Sequence, residues 1–142
     1  MDTDFWPIVI LTAPPKPGAS WIDRALRDVF GLLRRGEPFV LIVDARQVTT
    51  IPGIDVRRAT AEWSYAHIRP GGAHLGFVVV SSSTAVRFAV KAIHWALPPM
   101  SHIIPYTVVK TVPEAVDWAL DRIAATGTAY TTQTLGAARA YA

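Results

Sequence analysis

The 142-residue sequence contains no cysteine. This absence excludes disulfide bonds and thiolate metal sites and is typical of a reducing compartment, so we expect a cytoplasmic protein. No apolar run approaches the roughly 18–20 residues that a bilayer-spanning helix needs. Two of the first four residues are aspartates and none is basic, whereas a secretory signal begins with basic residues. We therefore expect neither a membrane span nor a secretory signal.

The motifs of common catalytic and cofactor-binding sites are also missing. The sequence has no Gly-x-Ser-x-Gly elbow, HExxH pair, Walker loop or Gly-x-Gly-x-x-Gly fingerprint. Its four histidines lie in four different local contexts, and we expect them at the surface or satisfied by local partners. Basic residues outnumber acidic ones by only 14 to 11. We therefore expect a protein without enzymatic activity, metal, cofactor or nucleic-acid partner.

Apolar runs followed by helical segments make up most of the chain. The run from Phe39 to Val43 carries no charge and ends at Asp44, as in parallel strands that helices cover on both faces. The predicted strands are Phe5–Thr12, Phe39–Val43, Leu75–Val80 and Ile103–Val109, and the predicted helices are Ser20–Arg35 with Ser20 as N-cap, Gly53–His67, Thr84–Leu97 and Pro113–Ala125. We expect one α/β domain over residues 1–125, with a four- to five-stranded, mostly parallel sheet in βαβαβαβα order, and a flexible C-terminal tail over residues 126–142.

Two predicted helices carry more apolar side chains than one sheet covers. In the helix from Thr84, the side chains of Phe88, Ala92 and Trp95 form a flank roughly 120° away from a sufficient core face. The helix from Gly53 has two nearly opposite apolar faces, namely Val56, Ala59, Trp63 and Ala66, and Ile54, Ala61, Tyr65 and Ile68. Such helices lie between two layers or against another chain, so we expect a protein partner or a homodimer. The alternative is burial by the tail or by a curled sheet edge.

Asp44 stands at the carboxyl end of an apolar strand, with Arg46 two residues later. Its carboxylate either accepts amide hydrogen bonds from the following loop or faces a ligand or partner. The candidate interaction residues are Phe88, Ala92, Trp95, Ile54, Tyr65, Asp44 and Arg46.

Positive charge is concentrated in the middle of the chain. Residues 56–111 contain six lysines and arginines and a single acidic residue, Glu62. The amides at the start of the helix from Thr84, together with nearby serine hydroxyls and arginines, form a candidate anion site. Its residues are Ser81, Ser82, Ser83, Arg87, Arg57 and Arg58. The alternative is an ordinary N-cap at the serines and a solvated basic surface.

The segment from Val43 to Gly53 resembles the central stretch of STAS domains, the anti-sigma-factor antagonists, in which a strand ends in Asp and a short turn leads into a helix. The stretches Leu75–Ser83 and Val112–Trp118 are similar to the second half of that family, with a strand, a serine and later a Glu-Ala helix opening. A STAS/SEC14-like subgroup is similar in its tryptophan-bearing helix ends, here Trp63, Trp95 and Trp118.

The resemblance implies a non-catalytic protein-interaction domain, with small-ligand or lipid binding as a variation. Where the antagonists carry an Asp followed by a phosphorylatable serine, this chain reads Pro52-Gly53, and Thr49 and Thr50 lie nearby but not at that position. The residue on which a phosphorylation switch depends is therefore missing. We expect a regulatory or scaffold domain that acts by protein–protein interaction or self-association; the alternative is a binder of an anionic small molecule or lipid headgroup.

Overall fold

A computed structural model describes residues 1–96 and 104–127, with the side chains of residues 93–96 outside this description. The elements are β1 (Ile8–Thr12), α1 (Ala19–Arg35), β2 (Phe39–Asp44), α2 (Ile54–His67), β3 (His74–Val80), α3 (Thr84–Ala96), β4 (Tyr106–Val109) and α4 (Val112–Ala125). The described strands form one parallel sheet in the order β1-β2-β3-β4. The predicted α/β class and the predicted element order are confirmed.

The strand order determines which helices share a face. Each strand pairs with the next one along the chain, always in the same direction across the sheet. Because crossovers between parallel strands are right-handed, α1, α2 and α3 all lie on one face. The last helix, α4, packs over β2 and β3 from the other side. Three helices therefore cover one face and a single helix covers the other.

The single-helix face is closely packed. Buried side chains alternate along the strands, because successive strand residues point to opposite faces. The core on this face consists mainly of Ile8, Ile10, Val40, Ile42, Val78 and Val80 from the sheet, with Ala115, Val116, Ala119 and Ile123 from α4. A Cβ atom on Gly76 would lie 2.9 Å from the carbonyl oxygen of Pro105 and 2.9 Å from Cη2 of Trp118. The space between α4 and the sheet is therefore full.

Some element boundaries differ from the prediction. The N-cap of α1 is the extended Gly18, without a side-chain cap, and Ser20 is an exposed residue of the first turn. Helix α4 begins at Val112, and its N-cap is Thr111, whose Oγ1 accepts a hydrogen bond from the amide of Glu114 at 3.3 Å. Strand β4 begins only at Tyr106, because Pro105 has no N–H to donate to a ladder.

Three predictions fall wholly or partly outside the described residues. These are the predicted end of a helix at Leu97, the predicted start of a strand at Ile103, and the flexible tail. Of the tail, only Thr126 and Gly127 are described. Within the described residues, no helix combines the length and the apolar character that crossing a bilayer requires.

Candidate functional site

Helix α2 faces the sheet with a stripe of small and polar residues. At about 100° per residue, Arg57, Thr60, Ala61 and Ser64 lie on one side of the helix, and all four line the space between α2 and the sheet. The hydroxyls of Thr60 and Ser64 donate to backbone carbonyls one turn earlier, both at 2.9 Å. In the described structure, Ala61 is the only residue of α2 that is buried. Thr60, Ala61 and Ser64 are short, and a space remains between α2 and the sheet.

The two apolar faces predicted for α2 are corrected by this orientation. The direction toward the sheet lies between them, so neither predicted face is centred on the sheet and each lies on a different flank of the helix. Ile54 and Tyr65 are 63% and 53% exposed, whereas Ala61 from the same predicted face is buried. Of the opposite face, Trp63 is half-buried and Ala66 is exposed. No regular apolar stripe holds α2 against the sheet.

A cavity of about 300 Å³ lies between the sheet and helices α1, α2 and α3. Its walls are mainly apolar and include Leu11, Leu41, Val43 and Val79 of the sheet and Leu26 and Val29 of α1. The volume falls at the lower end of the range of small-molecule sites, which are likewise mostly apolar with a few polar groups. An engineered apolar cavity of about 150 Å³ binds benzene, so this space is large enough for a bigger ligand.

His74, the first residue of β3, is the most deeply buried polar group of the cavity wall, with 4% of its surface exposed. Its ring centroid lies 4.8 Å from that of Phe39 and 6.4 Å from that of Phe77. Neither ring nitrogen has a hydrogen-bond partner within the described part of the chain. Burial lowers the pKa of His74 to about 4, so the ring is neutral near pH 7 and offers one donor and one acceptor.

Arg57 is a second polar group of the cavity wall. Its Nε atom is buried and has no hydrogen-bond partner among the described residues. Arg57 lies in the first turns of α2, which follow the carboxyl end of β2. His74 is the first residue of β3 and therefore lies at the amino ends of the parallel strands. The two groups therefore lie toward opposite ends of the cavity. Of the six residues predicted for an anion site, Arg57 and not its exposed neighbour Arg58 lines this space.

The carboxylate of Asp44 is bound by its own loop. Arg46 donates from Nε to Oδ1 at 2.9 Å and from Nη2 to Oδ2 at 2.8 Å, and its amide also donates to Oδ1 at 3.2 Å. The side-chain hydrogen bonds from Arg46 are the main reason why the pKa of Asp44 lies below its usual value. Of the two alternatives left open for Asp44, the local one is observed.

This loop also bonds to the segment between β1 and α1. Gln47 donates from its side chain to the carbonyl of Ala13 at 2.9 Å, and Thr49 donates from its amide and hydroxyl to the carbonyl of Pro15 at 2.8 and 3.1 Å. The loop after β2 is thus fixed at the carboxyl edge of the sheet, where Val48 and Ile51 line the cavity.

The predicted serines form the start of α3. Ser81 is buried and its Oγ accepts a hydrogen bond from the amide of Ser83 at 3.1 Å. The Oγ of Ser83 accepts from the amide of Val86 at 3.3 Å, which is an N-cap bond. Ser82 is exposed and Arg87 is half-buried. The N-cap alternative is therefore observed, and Arg57 remains the member of the predicted anion set that is tied to a cavity.

Three of the large apolar side chains that are exposed in the described structure belong to α2 and α3, and the other two are Met1 and Phe30 of α1. Phe88 is 70% exposed on α3, and Ile54 and Tyr65 are exposed on α2. Ala92 is half-buried, and the side chain of Trp95 lies outside the described residues. The outward position of Phe88 agrees with its place on the predicted flank of α3.

Neither the cavity nor the burial of His74 in its wall was predicted from the sequence. His74 was expected at the surface or with a local partner, and this expectation was wrong. A signal for the cavity was present in Arg57, Thr60 and Ser64, whose spacing places polar residues on one side of a helix that has to cover an apolar sheet. Within the described residues, no group of three or more metal-ligating side chains lies close together.

No protein-family model matches this chain, and neither a curated protein nor a solved structure matches it. Its function therefore has to be argued from the geometry, and the similarity to STAS domains stays a prediction.

Proposed function

We propose that this protein is a non-enzymatic binding domain that takes an apolar or amphipathic small molecule into the cavity beneath α2. The observation that carries this proposal is the space of about 300 Å³ between an apolar sheet and three helices. By comparison with the benzene-sized cavity, it holds about twelve non-hydrogen atoms. A fused pair of aromatic rings or a medium-length aliphatic chain has this size.

The arrangement of hydroxyls in the cavity supports binding rather than catalysis. A catalytic serine or threonine needs a base within hydrogen-bond reach to take its proton. The hydroxyls of Thr60 and Ser64 instead donate to carbonyls of their own helix. Arg57 supports the predicted preference for anionic ligands at one point, because it is the arginine among the residues that line the cavity. An acidic group on an otherwise apolar ligand fits that end.

An environment-sensitive dye tests the proposal. 1-Aminonaphthalene has eleven non-hydrogen atoms, and its emission shifts to shorter wavelength when it leaves water. Trp21 and Trp63 line the cavity and would transfer excitation energy to this dye. We expect saturable binding to the wild-type protein. Ser64→Leu fills part of the cavity and should weaken binding at least about tenfold, because buried apolar volume is lost to the dye.

Ala66→Leu provides the matched control. It adds the same side chain to the same helix, but at an exposed position. Dye binding should be unchanged in this variant. The proposal fails if the wild-type protein shows no saturable binding, or if Ser64→Leu and Ala66→Leu bind the dye equally well.

The exposed apolar residues favour a second function, self-association of the chain. Phe88, Ile54 and Tyr65 all lie on the three-helix side, and a two-fold interface needs one such self-complementary patch. This agrees with the regulatory or scaffold role that the resemblance to STAS domains implies. Sedimentation velocity at micromolar concentration should show a dimer that Phe88→Ser weakens. The control Ala85→Ser, at an exposed position of the same helix, should leave the dimer intact, and a wild-type monomer would exclude this function.

A further inference from the structure

Exposed apolar side chains lie among basic ones on the outside of α2 and α3. We propose that this side of the molecule docks onto a membrane surface rich in anionic lipids, with Phe88 inserted among the lipid chains and Lys91 and neighbouring arginines paired with headgroup phosphates. The inference goes beyond the proposed function, because it does not depend on the cavity. The docking surface consists of Ile54, Arg58, Tyr65, Arg69, Phe88 and Lys91, all of them exposed.

Helix α3 places an aromatic ring beside a positive charge. Phe88 is 70% exposed, more than any other large apolar side chain of the described structure. At about 100° per residue, it lies on the far side of the helix from the buried Val86. The exposed Lys91 follows three residues later and is therefore its neighbour on the helix surface. The helix contains no acidic residue, so its outer side combines apolar surface with uncompensated positive charge.

Helix α2 carries a similar row of side chains. Ile54, Arg58 and Tyr65 are exposed, and at about 100° per residue they lie within about 40° of one another around the helix. Nη1 of Arg69 donates a hydrogen bond to the carbonyl of Tyr65 at 3.3 Å. This bond holds a second guanidinium group at the end of the row.

The row on α2 faces α3. The ring centroid of His67 lies 5.5 Å from that of Phe30 in α1, so this side of α2 faces α1. Tyr65 is about 160° around the helix from His67 and faces the opposite way. Because the described strands are ordered as in the chain, α3 lies on that side of α2. Tyr65 and Phe88 therefore belong to one surface that spans two neighbouring helices.

The charges of the whole molecule agree with this orientation. Helices α1, α2 and α3 together contain eight lysines and arginines and four acidic residues, whereas α4 contains one arginine and three acidic residues. The three-helix side is thus net positive and the side of α4 is net negative. An anionic leaflet attracts each lysine or arginine that approaches it. It would therefore turn the side with the exposed rings toward the membrane.

The same charges favour a membrane over a second copy of the chain. A two-fold interface would bring Arg58 and Lys91 of both copies to one patch, and the cores of protein interfaces are depleted of charge. Anionic headgroups supply the opposite charge, and the lipid chains accept aromatic side chains that stand apart from one another. Membrane docking and the self-association proposed above use the same side chains, so they exclude each other on one molecule.

Vesicle binding tests the inference. We expect the wild-type protein to sediment with vesicles of equal parts phosphatidylglycerol and phosphatidylcholine, but not with pure phosphatidylcholine, and to be released by salt. Phe88→Ser should weaken binding about tenfold, because the burial of an apolar ring is lost. Lys91→Ala should weaken it about fivefold through the loss of one cation. The control Lys110→Ala removes the same charge from the connection between β4 and α4 and should change binding by less than about twofold.

A measurement on the wild-type protein does not depend on the folding of the variants. The chain has three lysines, Lys16, Lys91 and Lys110. Anionic vesicles should protect Lys91 from acetylation by acetic anhydride and leave the other two reactive. The inference is wrong if the wild-type protein does not bind these vesicles, if Lys91→Ala and Lys110→Ala weaken binding equally, or if all three lysines are protected equally.

The oligomeric state separates this surface from a dimer interface. If Phe88→Ser dissociates a dimer but leaves vesicle binding unchanged, the exposed side chains serve self-association and the membrane inference fails. Dye binding in the cavity is measured separately, so a failure here leaves the cavity function standing.

Discussion

The two faces of the sheet are covered in opposite ways. One helix, α4, covers its face completely, with Ala115, Val116, Ala119 and Ile123 all fully buried. Three helices cover the other face and leave about 300 Å³ of space. The number of helices therefore does not decide how well a sheet face is closed. The residues that face the sheet differ: those of α4 are apolar and buried, whereas those of α2 include Arg57, Thr60 and Ser64, which are polar and only half-buried.

The largest expected effect comes from overfilling the closed face. In Gly76→Val, the new Cβ meets the Pro105 carbonyl and the Trp118 ring at 2.9 Å. We expect a loss of about 3 kcal/mol in the free energy of unfolding, measured by urea denaturation. Gly31→Ala is the control, because a Cβ at this exposed site meets nothing within 4 Å, and it should stabilise α1 by about 0.5–1 kcal/mol. A small effect of Gly76→Val would show that α4 is loosely packed.

Acid should destabilise the cavity face through His74. The pKa of this histidine is about 4 in the folded protein and near 6.5 when unfolded. The unfolded state therefore binds more protons between these values, and stability falls as the pH is lowered through this window. From pH 8 to pH 5 we expect a loss of about 2 kcal/mol. The comparison is made in ligand-free protein.

In His74→Leu this part of the pH dependence should disappear, whereas His67→Gln, at an exposed histidine, should keep it. The pKa of Asp44 is depressed, so its stabilising contribution is lost only at lower pH, as the carboxylate becomes protonated. An equally steep loss of stability in His74→Leu would mean that another group titrates in this range.

The smallest effect comes from adding the same side chain to each face. Ser64→Leu places apolar atoms in the cavity and should raise the free energy of unfolding by about 1 kcal/mol. Ala119→Leu adds a leucine to the full core beneath α4 and should lower it by about 1–3 kcal/mol. Opposite signs in urea denaturation support the comparison of the two faces. Equal signs would contradict it.

The strands were predictable because they consist almost entirely of apolar residues. An uncharged run such as Phe39–Val43 is typical of a strand that is covered on both faces. The start of α1 was misassigned, because Ser20 is a good capping residue by type but the extended backbone at Gly18 already begins the helix. Local preference is a weaker signal than the geometry of a loop that contains several prolines.

The position of His74 was not predictable for a different reason. Strict alternation would place His74 and Phe77, three residues apart in β3, on opposite faces of the sheet. The pairing of β2 and β3 shifts between Phe39 and Val40, where one residue of β3 is skipped. The shift places the His74 ring beside Phe77 on the cavity face, while Leu75 packs with the core beneath α4. Nothing in the composition marks such an irregularity.

The order of the described strands also bears on where a small molecule can enter. Open α/β sheets commonly bind ligands in a crevice where successive connections leave in opposite directions. Here each connection leads to the next neighbour on the same side, so the described strands offer no such crevice. A small molecule in the cavity would therefore lie beneath α2 against the face of the sheet, and not in a crevice at the carboxyl ends of the strands.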